Sequence, residues 1–205
     1  MRPCIYCGLN PGKTKDHTPP VAYFREALPN GIQRITVPCC EECRKEGEKD
    51  EAFCRNLIIS EMLSEQNSIA LTLARKRDKS FALDRTQAER LVAHMKYVPV
   101  MTPHGPALFP AFDADSPPMN NFVLRMCRAL LHEETKTGFL KSKIVRWCFH
   151  PPKEEREIFN QAPARVVSEE FAYAHVYFRG EPVSAWLLQF YQGLEILAVM
   201  QTDWK

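Results

Sequence analysis

Hydrophobic positions change their rhythm several times along this chain. Over the first fifty residues they are sparse, and Pro11-Gly12 and Pro29-Asn30-Gly31 read as turns. The short run Ile35-Thr36-Val37 predicts a strand that delivers Cys40. A helix is expected from Cys40 or Glu41, with Cys43 on its first turn, either running through Gly47 or breaking there. From Glu51 the pattern is helical, with Phe53, Leu57, Ile58, Met62 and Leu63 at helical spacing. A second helical stretch, Ile69 to Arg77, ends in the basic run Arg75-Lys76-Arg77. Thr86-Gln-Ala-Glu89 reads as a capping box opening a third helix through His94 or Met95.

Val98 to Pro118 is proline-rich and predicts extended chain with loops. A strong helix follows from Asn120 to about Glu134, with Phe122, Val123, Met126, Leu130 and Leu131 on its apolar side. Lys143 to Phe149 predicts a strand, and Lys153 to Asn160 a short charged helix. Bulky and small residues alternate over Phe171 to Tyr177, as in a half-buried strand. Ala185 to Tyr191 and Leu194 to Met200, joined through Gln192-Gly193, predict a hairpin.

Composition adds limits. The 205 residues fit one medium domain or two small ones, and 45% hydrophobic residues can build an ordinary core. A net charge of +2 does not announce a nucleic-acid partner, so any electropositive face must be local. No apolar run approaches the roughly 20 residues of a membrane helix, and no secretory signal is visible. A cytoplasmic protein with no membrane partner is expected. In that setting eight cysteines point to metal rather than disulfides.

Six of the eight lie between Cys4 and Cys54, including Cys4-Ile-Tyr-Cys7 and Cys40-Glu-Glu-Cys43. Each C-x-x-C places two thiolates on one turn, and two such pairs close a tetrahedral zinc site. Cys39 can replace Cys40, but only Cys40 keeps the spacing to Cys43. Buried free thiols or a redox motif are the competing reading. Asp16-His17 lies between the two pairs, on the segment they pin together. Asp16 offers oxygen to a hard divalent cation, and His17 offers a base for an attacking water. Lys13, Lys15, Arg25, Arg34 and Arg44 flank the pair and are candidates for phosphate contact.

The order C-x-x-C, D-H-x-x-P, P-x-C-x-x-C resembles the HNH, or ββα-metal (His-Me finger), endonucleases that carry a four-cysteine structural zinc. That resemblance implies a hydrolase acting on nucleic acid, DNA foremost, with Mg2+ or Mn2+ as catalytic ion. It implies His17 as general base and Asp16 as ligand of that ion. A residue of the following helix completes such sites. Many relatives have Asn just after the second C-x-x-C, where this chain has Arg44. Asp50 is the first candidate in its place, then Glu51, then Asn56. The departure keeps open an alternative: a catalytically degenerate, zinc-binding HNH-like protein that binds nucleic acid or inhibits a partner protein, phage or defence related.

The expected architecture is therefore α+β. A zinc-stapled, treble-clef-like ββα module over residues 1–60 would precede an α+β C-terminal domain over residues 61–205, with a helical middle and a C-terminal antiparallel sheet.

Overall fold

Two short strands, β1 (Thr14–Thr18) and β2 (Ile35–Cys39), pair antiparallel, with Thr14 opposite Cys39 and Thr18 opposite Ile35. The computed structural model describes residues 2–24, 34–64, 67–103, 105–112 and 116–203. The turn expected at Pro29-Asn30-Gly31 and the cation Arg25 lie outside these residues.

β2 leads directly into α1 (Glu41–Ser64). The helix does not break at Gly47. A Cβ there would lie 2.4 Å from the Arg125 guanidinium carbon, so glycine serves close approach rather than a turn. α2 (Ser68–Leu83) is capped by the Asn67 side chain, which accepts from the amides of Ile69 and Ala70. α3 (Arg85–Ala93) is capped by Asp84, not Thr86. Asp84 accepts from the Thr86 amide and from the Gln87 side chain, so the helix has a plain N-cap two residues earlier than the expected box.

The proline-rich stretch is a regular hairpin of β3 (Met95–Thr102) and β4 (Gly105–Phe112), paired from Met95 opposite Phe112 to Thr102 opposite Gly105. α4 (Pro117–Thr135) carries its two prolines in the first turn, where a missing N–H leaves no bond unmade. Then come β5 (Ser142–Phe149), α5 (Lys153–Arg156) with a 3-10 turn over Glu157–Phe159, β6 (Arg165–Ser168), β7 (Phe171–Tyr177), β8 (Val183–Phe190) and β9 (Leu194–Thr202). These five strands form one antiparallel sheet in the order β5-β9-β8-β7-β6. The four-residue edge strand β6, with Val166 exposed, carried no readable alternation.

α1 and α4 pack on each other and on the sheet. Leu57, Ile58 and Met62 of α1 share one core with Phe122, Val123 and Met126 of α4 and with Trp186, Leu188, Phe190 and Ile196 of the sheet. Residue 60 lies inside α1, a helix that serves both the N-terminal hairpin and this core. Among the described residues no helix is long and apolar enough to cross a membrane.

Near the end of α4, Glu134 accepts hydrogen bonds from the Tyr173 hydroxyl and from Arg165. Burial pushes its carboxyl up, but these two donors outweigh it and hold the group below its ordinary value of 4.5. A depressed carboxyl stabilises the fold above its unfolded value and loses that contribution as pH falls through the folded one. Glu134→Gln is therefore expected to cost about 1–3 kcal/mol at pH 7, in the range of hydrogen bonds to charged groups. In denaturant melts the gap to wild type closes at acid pH; a gap that ignores pH would contradict the assignment.

Candidate metal centre and the acidic cleft beside it

The first knuckle is the turn Cys4 to Gly8. The Gly8 amide donates to the Cys4 carbonyl at 2.9 Å, and Gly8 takes φ +70, which favours a residue without Cβ. The Ile5 amide donates to the Pro38 carbonyl at 3.1 Å and ties this knuckle to β2. The second knuckle is the passage from β2 into α1, with the Arg44 amide on the Cys40 carbonyl at 3.0 Å. Together they bring the sulfurs of Cys4, Cys7, Cys40 and Cys43 within 4.8 Å of one another. Cys7 and Cys40 sulfurs are 3.9 Å apart. Four sulfurs at about 2.3 Å from one zinc ion would stand roughly 3.8 Å from each other, so the cluster can hold a metal ion and is consistent with zinc. The Cys39 thiol stays outside the cluster and donates to the Cys40 carbonyl at 3.2 Å.

The thiols differ in how readily they ionise. Burial pushes Cys7 up, but the backbone amides of Asn10 and Leu9 and the neighbouring thiols bring it down to about 7. Cys43 is driven far up by burial and by Cys40. Cys39 is pushed up to about 12, by burial first and then by the charge of Asp16. Four thiolates this close require a cation between them, and a bound metal supplies it.

Asp16 and His17 sit on β1, a strand rather than the loop expected. Asp16 stands opposite Val37, which is fully buried, so its carboxylate faces inward; His17 stands opposite Thr36. Both line a tight cleft of about 10 Å3, the room of about one water, with Tyr6, Glu51, Phe122 and Arg125 on its walls. His17 makes no side-chain hydrogen bond or ion pair with any described residue. Asp16 Oδ2 accepts from the Tyr6 hydroxyl at 2.7 Å and from Arg125 Nη2 at 2.8 Å. Glu51 approaches the same guanidinium at 3.8 Å. All three side chains are nearly closed to solvent, at 14% for Asp16, 15% for Arg125 and 17% for Glu51. Burial, then the Asp16 charge, push the Glu51 carboxyl up to about 7.

Asp50 does not line this cleft. One of its oxygens accepts from Arg90 at 3.1 Å and the other from Asn121 at 3.0 Å. The reason is helical geometry: neighbouring residues point about 100° apart, so when Glu51 faces β1, Asp50 faces α3 and the start of α4. Asn56 is buried and bonded to Gln87.

The basic residues scatter. Lys13 and Lys15 are exposed and make no ion pair with a described residue. Lys15 and His17, two apart on β1, share its outward face. Arg44 is held by Glu41 and Glu48. Arg34 lies over the Phe24 ring and on the wall of a separate cleft of about 790 Å3, between β2 and β6. That cleft is far larger than the acidic one but holds none of the chemistry above.

Arg125 and Arg128 were missed by sequence reasoning. Arg125 also donates to the Cys43 carbonyl at 2.8 Å and stacks over the Tyr6 ring at 4.0 Å. Arg128 donates to the Tyr6 carbonyl at 3.1 Å and to the Ser142 carbonyl at 2.7 Å. The pair clamps both knuckles onto α4. The available signal was their i, i+3 spacing at the margin of an apolar helical stripe.

No family model matches the chain, and no curated protein and no solved structure matches it. The likeness to HNH endonucleases therefore rests on the sequence motifs alone.

Proposed function

We propose that this chain is an HNH-type, metal-dependent phosphodiesterase that hydrolyses nucleic-acid backbones, DNA foremost, built on a structural zinc site at Cys4, Cys7, Cys40 and Cys43. The observation that carries this reading is the meeting of Asp16 and Glu51 in one cleft beside the four sulfurs, whose wall also takes in His17 from the outward face of β1. Only one oxygen of Asp16 is engaged by Tyr6 and Arg125. The other, with Glu51, offers the hard oxygen donors that Mg2+ or Mn2+ takes. Two carboxylates against one guanidinium also leave room for further positive charge. A divalent cation bound there supplies polarisation of the phosphate and stabilisation of the leaving oxygen. His17 takes the proton of the attacking water on a free ring nitrogen. Glu51 fills the role expected of Asp50, whose carboxylate is committed to Arg90 and Asn121. Lys15 and Lys13 hold backbone phosphates on the outward side of β1.

One observation favours a second reading. The Arg125 guanidinium already sits on Asp16, where a catalytic cation would be balanced. If it never leaves, the chain is the degenerate zinc-binding form, which binds nucleic acid or docks on a partner protein without cutting.

A plasmid-nicking assay with Mg2+ or Mn2+ separates the two. Wild type is expected to nick, and His17→Ala to slow cleavage by about 10²- to 10⁴-fold, the usual worth of a general base. Zinc content and the unfolding midpoint should not change in that variant. Wild type that shifts DNA but never nicks it would hand the chain to the second reading.

A further inference from the structure

Among the described residues the β3–β4 hairpin pairs only with itself, and none of its described side chains joins the buried core. Every β3 residue from Lys96 to Met101 is exposed. Its foot is fixed by the His94 ring against Phe53, at 5.1 Å. An isolated two-stranded ribbon is marginal in water, so exposed apolar side chains on one call for a covering surface.

The register tells which surface. Tyr97, Pro99 and Met101 alternate on β3, and Leu108 and Pro106 stand opposite Pro99 and Met101, so these five share one face. All five are exposed, Tyr97 at 69%, Met101 at 78% and Leu108 at 68%. From Tyr97 to Phe112 there is no Asp, Glu, Lys or Arg. Such a face offers nothing to phosphate. It does not invite strand addition either. Pro99, Pro106 and Pro110 fall in pairs of one parity, opposite Leu108, Met101 and Tyr97. Proline cannot donate to a ladder, so these are the non-bonded pairs, and the missing N–H groups lie on the ribbon's two outer edges. The contact is therefore face-on and apolar, with a protein.

Area decides which protein. Eight residues at about 3.4 Å each, on a ribbon roughly 10 Å wide, present about 270 Å2 per face. Used once against another surface, this buries about 540 Å2 in total, the size of a chance contact. Used reciprocally about a two-fold axis it buries about 1,100 Å2, near the threshold for a specific interface. The two helices that precede the hairpin carry exposed apolar side chains that can seat it: Leu83 at the end of α2 and Val92 near the end of α3 are 79% and 63% exposed.

We infer that the chain forms a two-fold dimer in which each hairpin lays its Tyr97, Pro99, Met101 and Leu108 face on α2 and α3 of a second copy. This does not depend on the nuclease reading. Light scattering and sedimentation at tens of micromolar should give twice the chain mass for wild type. A Tyr97→Lys, Met101→Lys, Leu108→Lys variant should give the monomer mass, with unchanged circular dichroism because all three side chains are exposed. Leu83→Lys with Val92→Lys should do the same from the receiving side. A monomeric wild type overturns the proposal and gives the hairpin to an unlike partner. A dimer that survives the hairpin variant overturns it too, and one that survives only the Leu83 and Val92 variant overturns the seat on α2 and α3.

Discussion

Treating the protein with a chelator, or replacing Cys40 with Ser, is expected to unfold the N-terminal hairpin and its knuckles, which have only a small core of their own. The small core there contains Ile5, Tyr6 and Val37 besides cysteines, with Ala129 from α4. Three such side chains contribute roughly 5–9 kcal/mol on burial. So thin a core needs a staple, and metal binding to four thiolates adds about 10–16 kcal/mol. Metal analysis should find one zinc per chain in wild type and none in Cys40→Ser. Cys39→Ser is the control, since its thiol lies outside the cluster; it should keep the full zinc content. A chelated protein that still melts cooperatively at the wild-type midpoint would show the ion to be dispensable.

The second large effect is expected at Arg125. Arg125→Met keeps the side chain's length and removes its charge. Asp16 and Glu51 are then left nearly closed to solvent without the guanidinium between them, which costs about 3–5 kcal/mol for a broken buried pair. Tyr6 loses the cation over its ring, and the Cys43 carbonyl loses its donor. Adding Asp16→Asn in the same chain should restore part of the loss, because the unpaired charge goes with it; a double-mutant cycle reads that coupling. Mn2+ should raise the melting temperature of Arg125→Met more than that of wild type, since the vacated cleft then lacks a cation of its own. No coupling between positions 125 and 16 would contradict the ion pair. Equal Mn2+ shifts in the two proteins would leave Asp16 out of any second metal site.

Much of this molecule was legible in one dimension. Local spacing is enough where the interaction is local. The two C-x-x-C pairs named the four sulfurs and favoured Cys40 over Cys39, because a knuckle is a single turn. The alternation over Phe171 to Tyr177 and the Gln192-Gly193 turn anticipated three strands of the C-terminal sheet. Periodicity likewise located α1, α2 and α4. Where competing local signals met, the sequence was ambiguous. Gly47 reads as a helix breaker, yet α1 continues because Arg125 occupies the space a side chain would take. The prolines between Val98 and Pro118 read as extended chain with loops, and the pairing of Pro99, Pro106 and Pro110 at one parity fits a regular two-stranded ribbon.

What the chain alone determined, then, is its helices, most strands of its C-terminal sheet, its α+β class and two cysteine knuckles, each fixed by contacts within a few residues. Which acid faces Asp16 was decided by the turn of α1 against β1, and it is Glu51 rather than Asp50. Which cation answers Asp16 was decided by α4, more than a hundred residues away, when its apolar stripe packed on α1 and carried Arg125 into the cleft. Charge complementarity across such a distance leaves no periodic trace in a sequence, because either partner can be read as ordinary surface until packing removes the water between them.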